Sequence, residues 1–99
     1  MALNVLPPVH PGEFLREEYL VPLGMSAGGL ARSIKVPRTR IERLVAEQTA
    51  VTTDTALRLA KFFRTSPEFW MNMQAGYDLK IAAATKKREL SRIRSIEAA

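Results

Sequence analysis

The sequence predicts an all-α domain of five short helices followed by a further C-terminal helix. Apolar residues recur at helical spacing in each segment: Leu15 and Tyr19, then Leu30, Ala31 and Ile34, then Ile41, Leu44 and Val45. Helix start and stop signals bracket these stripes, with Ser26, Thr52 and Ser66 as N-caps and Gly24 as a terminator. No stretch shows the polar–apolar alternation of a strand.

The elements follow in order. Residues 1–10, with Pro7, Pro8 and His10, read as an extended arm. Pro11 suits a first helical position and Glu13 the positive helix start. The first helix runs through FLREEYL, widened by Phe14 and Leu20, and Pro22 and Gly24 are expected to stop it. Ser26 caps the second helix, and Met25 can meet Leu30 as a hydrophobic staple. Val36 plugs the corner before a third helix over residues 37–46. Thr52 caps the fourth helix, with Asp54 near its positive end and Ala56, Leu57, Ala60 and Phe63 at helical spacing. Ser66-Pro67-Glu68 opens the fifth, which carries Phe69, Trp70 and Met73. Gly76 is expected to interrupt the pattern before a last helix over 77–96, whose apolar stripe (Leu79, Ala83, Leu90, Ile93, Ile96) is incomplete. The chain thus divides into an arm (1–10), a domain (11–75) and a basic helical extension (76–99).

Composition narrows the function. The 99 residues are 46% hydrophobic, enough for one small core and little more, so oligomerisation is a plausible source of extra stability. The absence of cysteine excludes disulfides and thiolate metal sites. His10, the sole histidine, reads as a capping or packing residue, and no metal or cofactor is expected. With no phosphate loop, no Cys–His pair and no zinc spacing, the chain is not expected to be an enzyme. No apolar run approaches the ~20 residues of a membrane span. MALNVLPPVHPG lacks the pattern of a signal peptide, so the expected location is cytoplasmic.

Charge is where the sequence is most specific. The net charge is +5. Residues 32–45 carry Arg32, Lys35, Arg38, Arg40 and Arg43 against Glu42 alone, while the first 25 residues are net acidic. From Tyr77 onward the balance is basic again. A cationic side on the second of two short, turn-linked helices is what insertion into a DNA major groove requires. At ~100° per residue, Thr39 and Arg43 point away from the Ile41 stripe, flanked by Arg40, and Arg38 lies in the first turn.

Four stretches, HPGEFLREEYLVPLGMS, LARSIKVPRTRIERL, TTDTALRLAKFF and SPEFWMNMQAGYDL, together resemble the helix-turn-helix domain of phage-repressor and Cro type (XRE). The HPGE…LREE opening and the SPEFW segment resemble, more narrowly, the HigA (VapI-like) antitoxins of toxin–antitoxin operons. The resemblance implies a five-helix, lambda-repressor-like domain with an additional C-terminal helix. It implies a homodimer that binds double-stranded operator DNA, represses its own operon and silences a HigB-type mRNA-nuclease toxin. A stand-alone regulator with no toxin remains an alternative. Arg38, Thr39 and Arg43 match the family's base-reading positions. Ser26 and Ala27, at the start of the second helix, are expected to offer backbone N–H groups to a phosphate, as can Gln48 and Thr49 from the loop after the third, and Lys35 and Arg40 are expected to meet phosphate or to remain solvated. Phe69, Trp70, Met73 and Tyr77 match the segment that supplies the dimer surface, although Trp70 also fits core packing against the first helix.

Departures from the family pattern are specific. Lys35 stands where glycine is usual, at a turn that needs positive φ, a cost of about 1 kcal/mol. Pro37 offers no capping oxygen, Gly28 and Gly29 weaken the second helix, and Glu47-Gln48-Thr49 replaces an Asn-Gly-basic loop. These departures motivate a third possibility, a protein-interaction module that has lost DNA binding.

Overall fold

The computed structural model describes residues 8–98, and every regular element among them is helical. Most of the expected N-terminal arm, residues 1–7, lies outside the described residues. The first predicted helix is one rod in three consecutive parts: α1 (Pro11–Leu15), a π-helical stretch (Arg16–Leu20) and α2 (Val21–Leu23). The central pair is α3 (Ala27–Ile34) and α4 (Arg38–Val45). Then come α5 (Thr53–Phe63), α6 (Pro67–Thr85), α7 (Lys87–Ser91) and a 3-10 turn (Ile96–Ala98). α3 packs on α4, α5 on α6, and α1 on both α4 and α6.

The helix starts form as the sequence predicts. Oγ of Ser26 accepts the N–H of Gly29 at 2.9 Å, Oγ1 of Thr52 that of Thr55 at 3.3 Å, and Oγ of Ser66 that of Phe69 at 3.0 Å. His10 both caps and packs. Its Nδ1 accepts the Gly12 N–H at 2.9 Å, and its ring meets Tyr77 edge-on at 4.9 Å between centroids.

The ends repeat one device. At Gly24 (φ 61°) the Gly24 N–H reaches the Val21 carbonyl and the Met25 N–H the Leu20 carbonyl, closing the helix by a Schellman turn. The same closure recurs at Lys35 (φ 62°) and Glu47 (φ 62°), and at Arg64 (φ 59°) the N–H groups of Arg64 and Thr65 both reach the Ala60 carbonyl; none of the three is glycine. Lys35 was expected there. Glu47 and Arg64 carry no glycine-like signal to expose them in the sequence.

Four expectations are corrected. Pro22 does not stop the first helix. The preceding π turn, in which the Val21 N–H reaches the Arg16 carbonyl, widens the backbone before the ring, and the rod continues to Leu23. Gly76 does not interrupt the fifth helix. α6 runs through it to Thr85, because buried Trp70 and Gln74 and half-buried Tyr77 anchor both sides, and packing outweighs the roughly 1 kcal/mol propensity cost. On α5 the core residue is Leu59 (0% exposed), whereas Leu57 is 53% exposed. Trp70, matched to a dimer surface, is 0% exposed within a single chain and has nothing left for a second subunit to cover. Phe14, Tyr19, Phe63 and Phe69 surround its ring, and its Nε1–H donates to Thr65 Oγ1 at 2.8 Å.

Leu15, Leu30, Ile41, Leu44 and Leu59 complete the core around Trp70. One contact in it is between backbones. A Cβ placed on buried Gly12 would stand 1.7 Å from the Leu44 carbonyl oxygen, so α1 touches the end of α4 with no room for a side chain. Gly12→Ala is therefore expected to cost about 1–3 kcal/mol or more, read as a lowered thermal or denaturant midpoint. A midpoint equal to that of the unsubstituted chain would show that α1 does not pack there. Lys35→Gly is expected to stabilise by about 1 kcal/mol, since it removes a left-handed non-glycine residue. A loss of stability in the same melt would contradict this.

Candidate nucleic-acid interface

α4 is oriented by its buried side. Ile41 and Leu44 are 0% and 2% exposed, which leaves Arg38, Thr39 and Arg43 on the solvent side. Val36 sits half-buried at the corner and packs against the core. Arg38 is open to solvent, with 71% of its side chain exposed, and its Nε lies 3.3 Å from Glu42 Oε2 one turn on. A Cβ on Gly28 would fall 2.9 Å from Arg38 Cδ. Gly28, which the sequence marks only as a weak helix former, thus leaves the passage through which the Arg38 stem crosses α3. Arg43 makes no ion pair among the described residues. Thr39 and Arg43 border an open recess of about 370 Å³ shared with Arg40, Thr49, Thr52 and Thr55.

The expected phosphate contacts divide. The Ser26 cap takes the Gly29 N–H and leaves those of Ala27 and Gly28 pointing out of the helix start, a favourable place for an anion. Lys35 is exposed at the turn. Gln48 has no backbone N–H to offer, because that group already donates to the Arg43 carbonyl at 2.9 Å. The Thr49 N–H makes no hydrogen bond among the described residues. Arg40 is exposed but not unpaired: its Nη1 is 2.6 Å from Asp54 Oδ2.

Two arginines that the sequence did not single out lock the pair in place. Arg58 on α5 donates through Nη1 to the carbonyls of Ile34 (2.8 Å) and Lys35 (3.3 Å), capping the end of α3, while its Nε pairs with Asp54 at 3.0 Å. Arg16 on the first rod donates through Nη1 to the Val45 carbonyl at the end of α4, and its Nη2 lies 3.3 Å from Glu47 Oε2. Each cation meets a negative helix end. The i, i+4 spacing of Asp54 and Arg58 was a usable local signal. Arg16 and Val45 are 29 residues apart, and no local pattern joins them.

At the expected dimer surface, Phe69, Met73 and Tyr77 follow one another at i, i+4 and i+8 on α6. Phe69 is 37% exposed, and Met73 and Tyr77 are half-buried. Farther along, Leu79 and Ile81 are 70% and 42% exposed. Among the described residues no helix is long and apolar enough to cross a membrane, and no group of three or more His, Asp or Glu could hold a metal ion.

Two short helices at a tight turn, the second exposed and cationic, define a helix-turn-helix protein. Comparison with known proteins agrees. The helix-turn-helix family profile matches residues 15–70. Virulence-associated protein I of Dichelobacter nodosus is 50% identical over 84 residues, 85% of this chain and 78% of that protein. Antitoxin HigA-1 of Vibrio cholerae is 36% identical over 72 residues, 73% and 67% of the two chains. The structure of Pseudomonas aeruginosa antitoxin HigA with the higBA promoter superposes with a TM-score of 0.87 at 39% identity, over 90% of this chain and 98% of that one. The chain belongs to the helix-turn-helix family, on its HigA (VapI-like) antitoxin branch.

The Asp54 carboxyl is held below the usual carboxylate range, chiefly by the Arg40 hydrogen bond and then by that of Arg58. A depressed folded value stabilises above the ordinary carboxylate pKa of ~4, and that contribution is lost as pH falls through the lower folded value. Asp54→Asn is therefore expected to melt below the parent chain at pH 7, with the gap closing as pH drops under ~4. A gap that stays constant down to pH 2 would contradict the pairing.

Proposed function

We propose that this chain is a dimeric DNA-binding antitoxin that recognises a double-stranded operator, represses its own promoter and neutralises a HigB-type mRNA-nuclease toxin in the cytoplasm. The observation that carries the reading is the outward face of α4, with Arg38, Thr39 and Arg43 exposed on a fold that superposes on a HigA solved with its promoter. In this reading Arg38 or Arg43 pairs both forked donors with a guanine edge, and Thr39 reads a neighbouring base. The start of α3 at Ser26 and Ala27, together with Lys35, Thr49 and the Gln48 side chain, holds phosphate and sets register. Phe69, Met73 and Tyr77 form the subunit contact. That contact places two copies of α4 in successive major grooves roughly 34 Å apart.

A second reading, an interaction module without DNA binding, draws support from the pairing of Arg38 with Glu42 and of Arg40 with Asp54, which ties up two cations. Titration of a labelled duplex from the chain's own upstream region separates the two. Saturable, salt-sensitive binding is expected, and no shift at low salt with micromolar protein favours the module. A stand-alone regulator is told from an antitoxin by whether the product of the adjacent reading frame co-purifies with the chain. Arg43→Ala is expected to weaken operator binding by ~1–3 kcal/mol and to relax one base preference. An equal loss on random-sequence duplex would assign Arg43 to phosphate instead.

A further inference from the structure

We propose that Asp54 is a specificity-determining residue that acts through Arg40: its carboxylate withholds the Arg40 guanidinium from DNA phosphate and so lowers affinity for duplexes of arbitrary sequence. The proposal rests on the DNA-binding reading above. Arg40 lies in the first turn of α4, next to Thr39, and borders the same recess as Arg43. Its Nη1 is 2.6 Å from Asp54 Oδ2, and the two side chains are 40% and 53% exposed. An ion pair this open to water adds little to folding. It does change the charge of the face that a duplex would meet, because it neutralises one of the cations clustered there.

The geometry makes the effect selective for Arg40. The same Oδ2 also accepts from Arg58 Nε at 3.0 Å, but Arg58 has two further anchors in the carbonyls of Ile34 and Lys35. Without Asp54, Arg58 stays tied to the end of α3, while Arg40 is released at the recess. Asp54 also occupies the first turn of α5, where a carboxylate offsets the positive helix end and makes it less receptive to phosphate. Phosphate contacts carry no sequence information, and non-specific sites far outnumber operators in a genome. A cation held back from phosphate therefore favours discrimination over raw affinity.

The test measures the salt dependence of binding to a labelled random-sequence duplex between 50 and 200 mM KCl. It uses four full-length proteins: the unsubstituted chain, Asp54→Asn, Arg40→Ala and the double variant. Each phosphate neutralised contributes about 0.9 to the slope of log K against log salt. Asp54→Asn is expected to steepen the slope by about 0.9, so that its affinity falls ~3.5-fold further than the parent's over that range. Its operator-to-random affinity ratio should fall. Arg40→Ala should leave the parent slope unchanged, and the double variant should match Arg40→Ala. A slope reduced by about 0.9 in Arg40→Ala alone would show that Arg40 already meets phosphate, which overturns the proposal. So would a steepened slope that persists in the double variant, since Asp54 would then act by its own charge. If Asp54→Asn fails to fold, as read by circular dichroism, Arg40→Ala decides by itself. Absence of binding by the unsubstituted chain at every salt would overturn the DNA-binding reading, and this proposal with it.

Discussion

The backbone contact between Gly12 and the Leu44 carbonyl is the constraint on which the rest of the structure depends. It brings the first turn of α1 against the last turn of α4, closer than any side chain permits. The flanking residues serve that approach. Pro11 is buried at the first helical position, and His10 caps the turn with Nδ1 while packing on Tyr77 of α6. One turn further on, Arg16 reaches the Val45 carbonyl. The HPGE…R sequence is thus a clamp on α4.

With that end fixed, α4 is held along its length by Ile41 and Leu44, and at the corner by Val36 and the left-handed Lys35. Arg58 ties the end of α3 to α5, so both helices of the pair end on an arginine from another element. The opposite side of α4 is thereby turned to solvent. Arg38 crosses Gly28 and leans on Glu42, Arg40 is held by Asp54, and Arg43 stands by the recess without an ion pair among the described residues. The cations thus differ in their tethers.

Much of the fold was legible because its signals are local. N-cap oxygens, the Ser66-Pro67 start, the apolar stripes of α3 and α4 and the positive φ at Lys35 all follow from residues within one turn of each other. What was not legible depends on contacts between distant residues. The release of the helix at Pro22 needs the π turn before it, and the continuity of α6 through Gly76 needs anchors on both sides. On α5, Leu57 and Leu59 are equally apolar, and only the direction from which α3 and α6 approach makes Leu59 the buried one. Trp70 fits a surface or a core by periodicity alone, and the ring of Phe14, Tyr19, Phe63 and Phe69 settles it as core. At the candidate site the outward residues of α4 were readable from helical geometry, and so was the i, i+4 pairing of Arg38 with Glu42; the tether of Arg40 was not, since Asp54 comes from α5, 14 residues on, and no local pattern aligns the two.

The most direct check is amide hydrogen exchange in the free chain, comparing residues 42–45 of α4 with residues 57–60 of α5. Because α4 is clamped before any partner arrives, its amides should be protected to an extent similar to those of α5, whose core residues are equally buried. Exchange of the α4 amides at the rate of an unstructured peptide, with α5 still protected, would mean that α4 is not preformed and that the clamp built on Gly12 does not hold it.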